Sequence, residues 1–142
     1  MAKSFAQNKG SRAERAVIAI LQPIVDKVRD ARGLSRVKLQ RNALQADGGG
    51  CDIAGLNWIA IEVKHHEKLQ VKQWWEQCVG QAKEDQLPVL IYKQNAVKWK
   101  VVMFGYVPIN ELRKVRCPVI IDLDSFVLWF EHKLTDELSK GA

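Results

Sequence analysis

The length and composition of this chain limit what it can be. It has 142 residues, of which 47% are hydrophobic and 27% are charged, so it is long enough for one well-formed core and close to the average soluble globular protein. No stretch approaches the roughly 18 apolar residues of a membrane span, and residues 1–15 lack the apolar segment of a secretory signal. We therefore expect one domain over residues 1–142, with residues 1–10 flexible, in the cytoplasm.

The charge balance and the cysteines narrow the class of partner. The net charge is +6, from 22 Lys and Arg against 16 Asp and Glu, which is compatible with nucleic acid, although charge alone identifies no partner. Cys51, Cys78 and Cys117 have no CxxC spacing, so we expect reduced and mostly buried thiols. His65 and His66 would point to opposite faces of a strand, so a histidine-based transition-metal site has little support.

The first half of the chain predicts one helix followed by three strands. Apolar residues recur at helical spacing over residues 11–29, and Pro23 within this segment predicts a kink or an interruption. Residues 36–40 alternate polar and apolar side chains, as a half-exposed strand does. After a run of three glycines, residues 51–54 and 58–64 are predicted to form the two strands of a β-hairpin.

The second half of the chain predicts further strands between helices. The predicted segments are a helix over 71–84, strands over 88–92, 97–104 and 119–121, a short helix over 108–116 and a closing helix capped by Asp124. The inner face of the closing helix would carry Phe126, Val127, Phe130, Leu134 and Leu138. The element order, α β β β α β β (α) β α, is typical of an α/β domain with a central mixed sheet flanked by helices.

The segment IEVK, residues 61–64, places an acid and a base two positions apart on a predicted strand. Because side chains alternate between the faces of a strand, Glu62 and Lys64 share one face. The hairpin turn would bring Asp52 back beside this strand, next to Glu62. Two carboxylates and a substrate phosphate are enough to hold Mg²⁺, which keeps several waters. Such an ion activates water for attack on a phosphodiester, and Lys64 would orient that water or stabilise the developing charge.

This arrangement resembles the PD-(D/E)XK nuclease superfamily. The resemblance is carried by Asp52 and by Glu62-Val63-Lys64 on a hairpin, with Glu14 of GSRAERAV on the preceding helix. The order of these residues is similar to that of archaeal-type Holliday junction resolvases and their small phage counterparts. The resemblance covers about residues 10–92.

The resemblance implies a restriction-endonuclease-like core of order αβββαβ, extended here by C-terminal strands and a helix. It also implies a Mg²⁺- or Mn²⁺-dependent endodeoxyribonuclease in which Asp52, Glu62 and Glu14 bind metal and Lys64 serves the attacking water. A resolvase of this kind would cut four-way DNA junctions in recombination as a homodimer, because symmetric cutting of two strands requires two related active sites. Gln77 corresponds to a glutamine that some of these nucleases direct toward the site.

Two departures from the family pattern bear on the substrate. Cys51 stands where a proline often precedes the first acid, and His65 follows the lysine where several resolvases have a small hydroxyl residue. The second departure weakens the resolvase assignment more than the nuclease assignment. The alternatives are a nuclease of this fold with nicking, restriction-type or exonuclease activity, and a non-catalytic nucleic-acid-binding module.

Several candidate residues also have purely structural interpretations. Glu-x-Lys is common on solvated strands, and the spacing of Ser11 and Glu14 is that of a capping box, which we weigh evenly against a metal contact. Trp74 and Trp75 are adjacent on a predicted helix, so at most one reaches the centre of the core, and the other would stack on a base or lie under a loop. Asp47 is a spare candidate acid.

The cations that would form a DNA-binding face are Arg12, Arg15, Arg36, Lys38, Arg41, Lys68 and Lys72, with Lys93, Lys98 and Lys100 as further candidates.

Overall fold

A computed structural model describes residues 5–42 and 51–140, with side chains from Lys9 onward. In chain order its elements are helix α1 (Phe5–Ala31), strands β1 (Gln40–Arg41), β2 (Ile53–Ala54) and β3 (Ile59–His66), helix α2 (Val71–Gln81), strands β4 (Leu87–Gln94), β5 (Lys100–Pro108) and β6 (Lys114–Asp122), and helix α3 (Leu123–Ser139). The predicted α/β class is confirmed, and the architecture is compatible with a restriction-endonuclease-like fold. The spare acid Asp47 lies outside the described residues.

The main sheet has four strands in the order β3-β4-β5-β6. Strands β3 and β4 are parallel and are connected through α2, whereas β5 is antiparallel to both of its neighbours, β4 and β6. Strand β3 is therefore an edge strand of this sheet. In the parallel ladder Glu62 lies opposite Leu90 and Lys64 lies opposite Tyr92.

The two faces of the sheet have different cores. On one face, alternate residues of β3 and β4, among them Ile61, Val63 and Ile91, belong to a large apolar cluster that also contains buried residues of α1 and α3. On the opposite face a smaller cluster joins α2 to the intervening residues of β4 and β5. Its buried members are Trp74, Cys78, Leu90, Tyr92 and Val102. Because Ile61 and Val63 face the large cluster, Glu62 and Lys64 face the α2 side.

Helix α1 is longer than the predicted segment 11–29 and runs without interruption through Pro23. The predicted interruption is wrong. The ring of Pro23 lies on the exposed side of the helix, and the carbonyl that its missing N–H leaves without an intrahelical donor belongs to Ala19, which is also exposed and can bond to water. The buried stripe of the helix is the predicted one and contains Ala13, Val17, Leu21, Val25 and Val28.

The strand predicted over residues 36–40 is wrong in its bounds, because a helix side chain competes for its backbone. Gln22 of α1 donates a hydrogen bond to the Val37 carbonyl at 2.9 Å and accepts one from the Leu39 amide at 2.8 Å. Strand pairing begins only at Gln40, where β1 pairs with β2 in an antiparallel ladder. This polar clamp attaches the segment before β1 to α1.

The predicted hairpin of 51–54 with 58–64 is only partly correct. The main ladder of β2 is with β1, and β3 extends over Ile59–His66, beyond the predicted strand. The connection to β3 is nevertheless present, because the Asp52 amide donates to the Ile61 carbonyl at 2.9 Å. Asp52 therefore lies between a short accessory ladder and the edge of the main sheet.

The helix predicted over 108–116 is wrong, since this segment forms a turn and the start of a strand. The Asn110 side chain accepts hydrogen bonds from the amides of Leu112 and Arg113, both at 2.9 Å, and the Ile109 amide donates to the Arg113 carbonyl at 2.8 Å. An asparagine that binds its own backbone two and three residues on favours a turn over a helix. Strand β6 then pairs with β5 along its whole length.

The remaining elements differ from the predictions mainly at their ends. Helix α2 begins at the predicted Val71 but ends at Gln81, and the strands predicted over 88–92, 97–104 and 119–121 are β4, β5 and β6 with shifted bounds. The predicted cap Asp124 is wrong, because Asp122 caps α3 and accepts from the Ser125 amide at 2.6 Å. On the inner face of α3, Phe126, Phe130 and Leu134 are buried, and Val127 and Leu138 are partly buried.

Within the described ranges, no helix is long and apolar enough to cross a membrane.

Candidate active site

A cavity of about 260 Å³ opens beside the edge strand β3, on the side of α2. Its lining includes all five residues that the sequence singled out for catalysis, namely Glu14, Asp52, Glu62, Lys64 and Gln77. Four segments supply them: α1, the residue before β2, β3 and α2. The fold therefore brings together residues that are far apart in the chain.

Asp52 is held against β3 by two hydrogen bonds of different kinds. Its carboxylate Oδ2 accepts from the Val63 amide at 2.7 Å, and its own amide donates to the Ile61 carbonyl at 2.9 Å. These two partners flank Glu62 on the strand. The side chain of Asp52 is consequently fixed beside Glu62, and Asp52 is only 6% exposed.

Glu62 is a buried acid beside a second acid. It is 3% exposed, and burial, followed by the charge of Asp52 and a hydrogen bond with Asp52, raises its pKa to about 9. The ammonium group of Lys64 acts in the opposite direction but does not cancel these effects. Two buried like charges are unfavourable unless a proton or a cation is shared between them, so this site favours a positively charged occupant.

Glu14 is paired with Arg41, a residue that the sequence assigned to DNA binding. The Arg41 Nε donates to the Glu14 carboxylate at 2.7 Å. The pKa of Glu14 is raised overall: burial and the charge of Asp52 raise it, and together they outweigh the hydrogen bond from Arg41, which lowers it. The capping-box interpretation of Ser11 and Glu14 is wrong, because α1 begins at Phe5 and both residues lie inside the helix.

Two glutamines of α2 line the cavity, and the structure distinguishes them. Gln77 is exposed, whereas the Oε1 atom of Gln81 is buried without a hydrogen-bond partner. Buried polar atoms are almost always bonded, so this acceptor lacks a donor that water or a ligand can supply. Gln73, Gln77 and Gln81 form one helical stripe in the sequence, from which Gln77 was selected as the site residue rather than Gln81.

The predicted DNA-binding cations do not share one environment. Arg36 is engaged by acids of α1, at 2.7 Å from Asp30 and 3.8 Å from Asp26, and Arg41 is engaged by Glu14. Arg36 is nevertheless exposed, and so are the other five predicted cations, Arg12, Arg15, Lys38, Lys68 and Lys72, whereas Arg41 is partly buried.

The two tryptophans of α2 also differ. Trp74 is buried and its ring lies 5.0 Å from the His66 ring, while Trp75 is partly exposed with its ring 5.1 Å from that of Phe104. One of the two therefore belongs to the core, as the helical geometry predicted.

The donor set suits a hard divalent cation. Across residues 5–42 and 51–140, no group of three or more His, Cys, Asp and Glu side chains is arranged to hold a metal ion, so the candidate ligands are the two adjacent carboxylates Asp52 and Glu62. Mg²⁺ requires only one or two carboxylates because it keeps several waters. A cation would relieve the repulsion between the acids, and a water bound to it could donate to Gln81 Oε1. The residues therefore fit such an ion.

The fold and the acid pair define the class of protein. A mixed sheet with Glu62-Val63-Lys64 on its edge strand and Asp52 hydrogen bonded beside that strand is the arrangement of a PD-(D/E)XK nuclease. A family model described as "Phage putative PDDEXK endonuclease" matches residues 6–122, which extend from α1 to the end of β6. The chain belongs to this family, and the predicted superfamily is confirmed. The comparisons with curated proteins and with solved structures found no match.

Proposed function

We propose that this protein is a metal-dependent DNA endonuclease in which Asp52 and Glu62 bind Mg²⁺, with Mn²⁺ as a substitute. The observation that carries the proposal is the buried acid pair, in which Glu62 has a pKa raised to about 9 by burial and by Asp52. Two adjacent buried carboxylates destabilise the fold when no cation is present, whereas a bound metal ion makes their charged forms favourable. When bound, the ion activates a water and neutralises charge on the phosphodiester.

The chain's own residues position and balance this charge. The Val63 amide holds one oxygen of Asp52, so the carboxylate keeps its orientation when the substrate arrives. Lys64 lies on the same strand face as Glu62 and is only partly buried, so its ammonium group can reach the attacking water or the phosphate. Such an ammonium stabilises the negative charge that develops in the transition state.

Glu14 and Arg41 extend the site on the α1 side. With a side chain 33% exposed, the Arg41 guanidinium can contact a phosphate while Glu14 holds it in place. Glu14 then contributes to metal binding through water or after Arg41 shifts toward the substrate. Gln81 is the preferred glutamine for orienting a metal-bound water, because its Oε1 is buried without a partner.

The proposed substrate is the four-way DNA junction, cut by a homodimer in recombination. The support for it is the order of Glu14, Asp52, Glu62 and Lys64, which is similar to that of small Holliday junction resolvases, together with a phage family of endonucleases. A homodimer would present two related sites to the two strands that are cut. The same acid pair would also serve a nicking, restriction-type or exonucleolytic enzyme, so the assay must compare substrates.

The test is a gel assay of the purified protein on a labelled four-way junction, a linear duplex of matched sequence and a single strand. Each substrate is incubated with Mg²⁺, with Mn²⁺ or with EDTA. We expect symmetric nicks in the junction only when metal is present. Asp52→Asn and Glu62→Gln should each lower the cleavage rate by about 10²–10⁴-fold, because each removes a metal ligand.

The matched control is Asp124→Asn, which removes one exposed carboxylate from the first turn of α3. Its cleavage rate should equal that of the wild type. Equal cutting of all three substrates would retain the nuclease and reject the resolvase. Tight binding without cutting would favour the non-catalytic binding module, and undiminished cutting by both acid variants would refute the proposed mechanism.

A further inference from the structure

A second cavity, of about 420 Å³, lies on the α1 side of the sheet, beside the ends of β3 and β4. We call it the Trp99 cavity, and the lining residues that matter here are Lys9, Arg12, His65, Lys93, Asn95 and Trp99. His65 lines both this cavity and the candidate active site. The two cavities are therefore neighbours that share His65 of β3.

The lining of the Trp99 cavity is strongly positive. Lys9, Arg12 and Lys93 contribute three cations, and the part of the chain that the structure describes contributes no Asp or Glu to the lining. Burial lowers the pKa of His65, and the charges of Lys9 and Lys93 lower it further. A concave surface with several cations and no acid attracts phosphate groups.

The aromatic wall of the cavity is held in place by its neighbours. Trp99 is half-buried and packs against the large apolar cluster. The Lys93 ammonium lies 5.2 Å from the centre of its ring, and the His65 ring lies 6.3 Å from it. Asn95 accepts a hydrogen bond from Lys9 and is hydrogen bonded to His65. Cations and an indole ring are thus combined in one pocket.

We propose that the Trp99 cavity binds one nucleotide of the DNA strand that passes through the candidate active site. The phosphate would lie among Lys9, Arg12 and Lys93, and the base would pack against Trp99. The cavity volume falls within the range of small-ligand sites, and aromatic side chains bind bases of any sequence through their π-faces. This inference rests on the proposed endonuclease function and identifies a feature of its substrate.

That feature is an unpaired base close to the cleavage position. In an intact duplex the bases are stacked on their neighbours, so an indole ring in a pocket can reach only a base that is single-stranded or displaced. The structure therefore points to Trp99 as a determinant of selectivity for branched or frayed DNA. The sequence had considered only Trp74 and Trp75 for base stacking.

The experiment measures binding without cleavage. Fluorescence anisotropy is recorded in EDTA with a labelled thymidine oligomer as the single strand and a labelled blunt hairpin as the duplex. We expect Trp99→Ala to weaken binding of the single strand by about 5- to 100-fold and binding of the duplex by less than about two-fold, because only the single strand offers a base. Trp99→Phe keeps an aromatic face and should recover most of the affinity.

Two matched controls accompany this experiment. Trp75→Ala removes a partly exposed tryptophan that packs on Phe104, and it should leave the affinity for the single strand unchanged. The slope of log K against log salt gives the number of phosphate contacts, and Lys93→Ala should reduce that number by about one. Lys27→Ala also removes one positive charge, but this lysine lies elsewhere on α1 and is paired with Glu131 of α3. It should leave the slope unchanged.

The outcomes separate this inference from the proposed function. Wild-type affinity of a folded Trp99→Ala variant for the single strand would overturn the inference, as would an equal loss with the duplex or an equal loss in Trp75→Ala. Thermal unfolding of each variant establishes that it is folded. Because binding is measured without metal, a wild-type protein that cuts no DNA would refute the endonuclease while leaving the binding result interpretable.

Discussion

The edge of β3 and the aromatic cluster under α3 show two opposite uses of buried volume. Under α3, the Phe130 ring lies 5.8 Å from that of Trp58 and 5.9 Å from that of Phe126, and both phenylalanines are completely buried. At the β3 edge, the buried groups are the carboxyls of Asp52 and Glu62. The first region contributes stability, whereas the second carries an electrostatic cost that a stable fold alone does not require. This contrast supports the proposal that the active site lies at the β3 edge.

The largest expected effect comes from the aromatic cluster. Phe130→Ala should lower the free energy of unfolding by about 3–5 kcal/mol, because it removes a fully buried ring and leaves a cavity. Unfolding in urea at constant temperature measures this loss. If the two regions are independent, the cleavage rate per folded molecule should stay at the wild-type value under conditions where the variant is folded.

The control for this prediction is Leu128→Ala on the outer side of the same helix. Leu128 is 62% exposed, so its truncation should change the free energy of unfolding by less than about 0.5 kcal/mol. Similar losses in the two variants would mean that the packing of α3 does not depend on the buried aromatic face. A folded Phe130→Ala protein with greatly reduced cleavage would show that the two regions are coupled.

Local periodicity was the part of the fold that the sequence predicted well. The apolar stripe of α1, the alternation of IEVK and the start of α2 at Val71 follow from repeating patterns, and the structure has them. The predictions over 36–40 and 108–116 were wrong because single polar side chains, Gln22 and Asn110, bind the backbone there. A pattern of hydrophobicity contains no information about such bonds.

The site was predictable to the extent that it depends on one strand and its neighbour. Asp52 was expected beside Glu62 because a turn joins their segments, and the structure places them together. The pairing of Glu14 with Arg41 and the approach of Trp99 to His65 connect segments far apart in the chain. Those contacts depend on how helices and strands pack, so they required a structure.

The second prediction concerns the pH dependence of stability in the metal-free protein. The folded-state pKa of Glu62 is raised to about 9 from the ordinary value of 4.5 for a glutamate side chain. Between these values the folded protein keeps a proton that the unfolded chain releases, so the stability of the wild type should fall as pH rises through this window. Glu62→Gln has no such proton, and its advantage over the wild type should grow by at least about 1 kcal/mol from about pH 5 to about pH 8.

Urea unfolding in EDTA at the two pH values measures this difference. Added Mg²⁺ should stabilise the wild type more than Glu62→Gln, because only the wild type gains a second carboxylate for the ion. A wild type and variant whose stabilities differ by the same amount at both pH values would show that Glu62 ionises normally. The contrast between the two regions would then lose its electrostatic basis.

The last prediction tests the backbone that carries Asp52 to the edge of β3. Gly55, in the turn between β2 and β3, has φ +120°, and a Cβ there would lie 3.0 Å from Leu39 Cδ2 and 3.3 Å from the Lys38 carbonyl oxygen. Gly55→Ala should therefore destabilise the protein by about 1–3 kcal/mol and reduce cleavage as well, since the turn positions Asp52.

The matched control for Gly55→Ala is Gly80→Ala in α2, where an added Cβ meets no atom within 4 Å. It should stabilise the helix by about 0.5–1 kcal/mol. Unfolding curves and cleavage rates of the two variants, measured together, separate strain at the turn from a general effect of replacing glycine. A Gly55→Ala protein as stable and as active as the wild type would mean that Asp52 keeps its position without this turn, and that the β3 edge depends on its own hydrogen bonds alone.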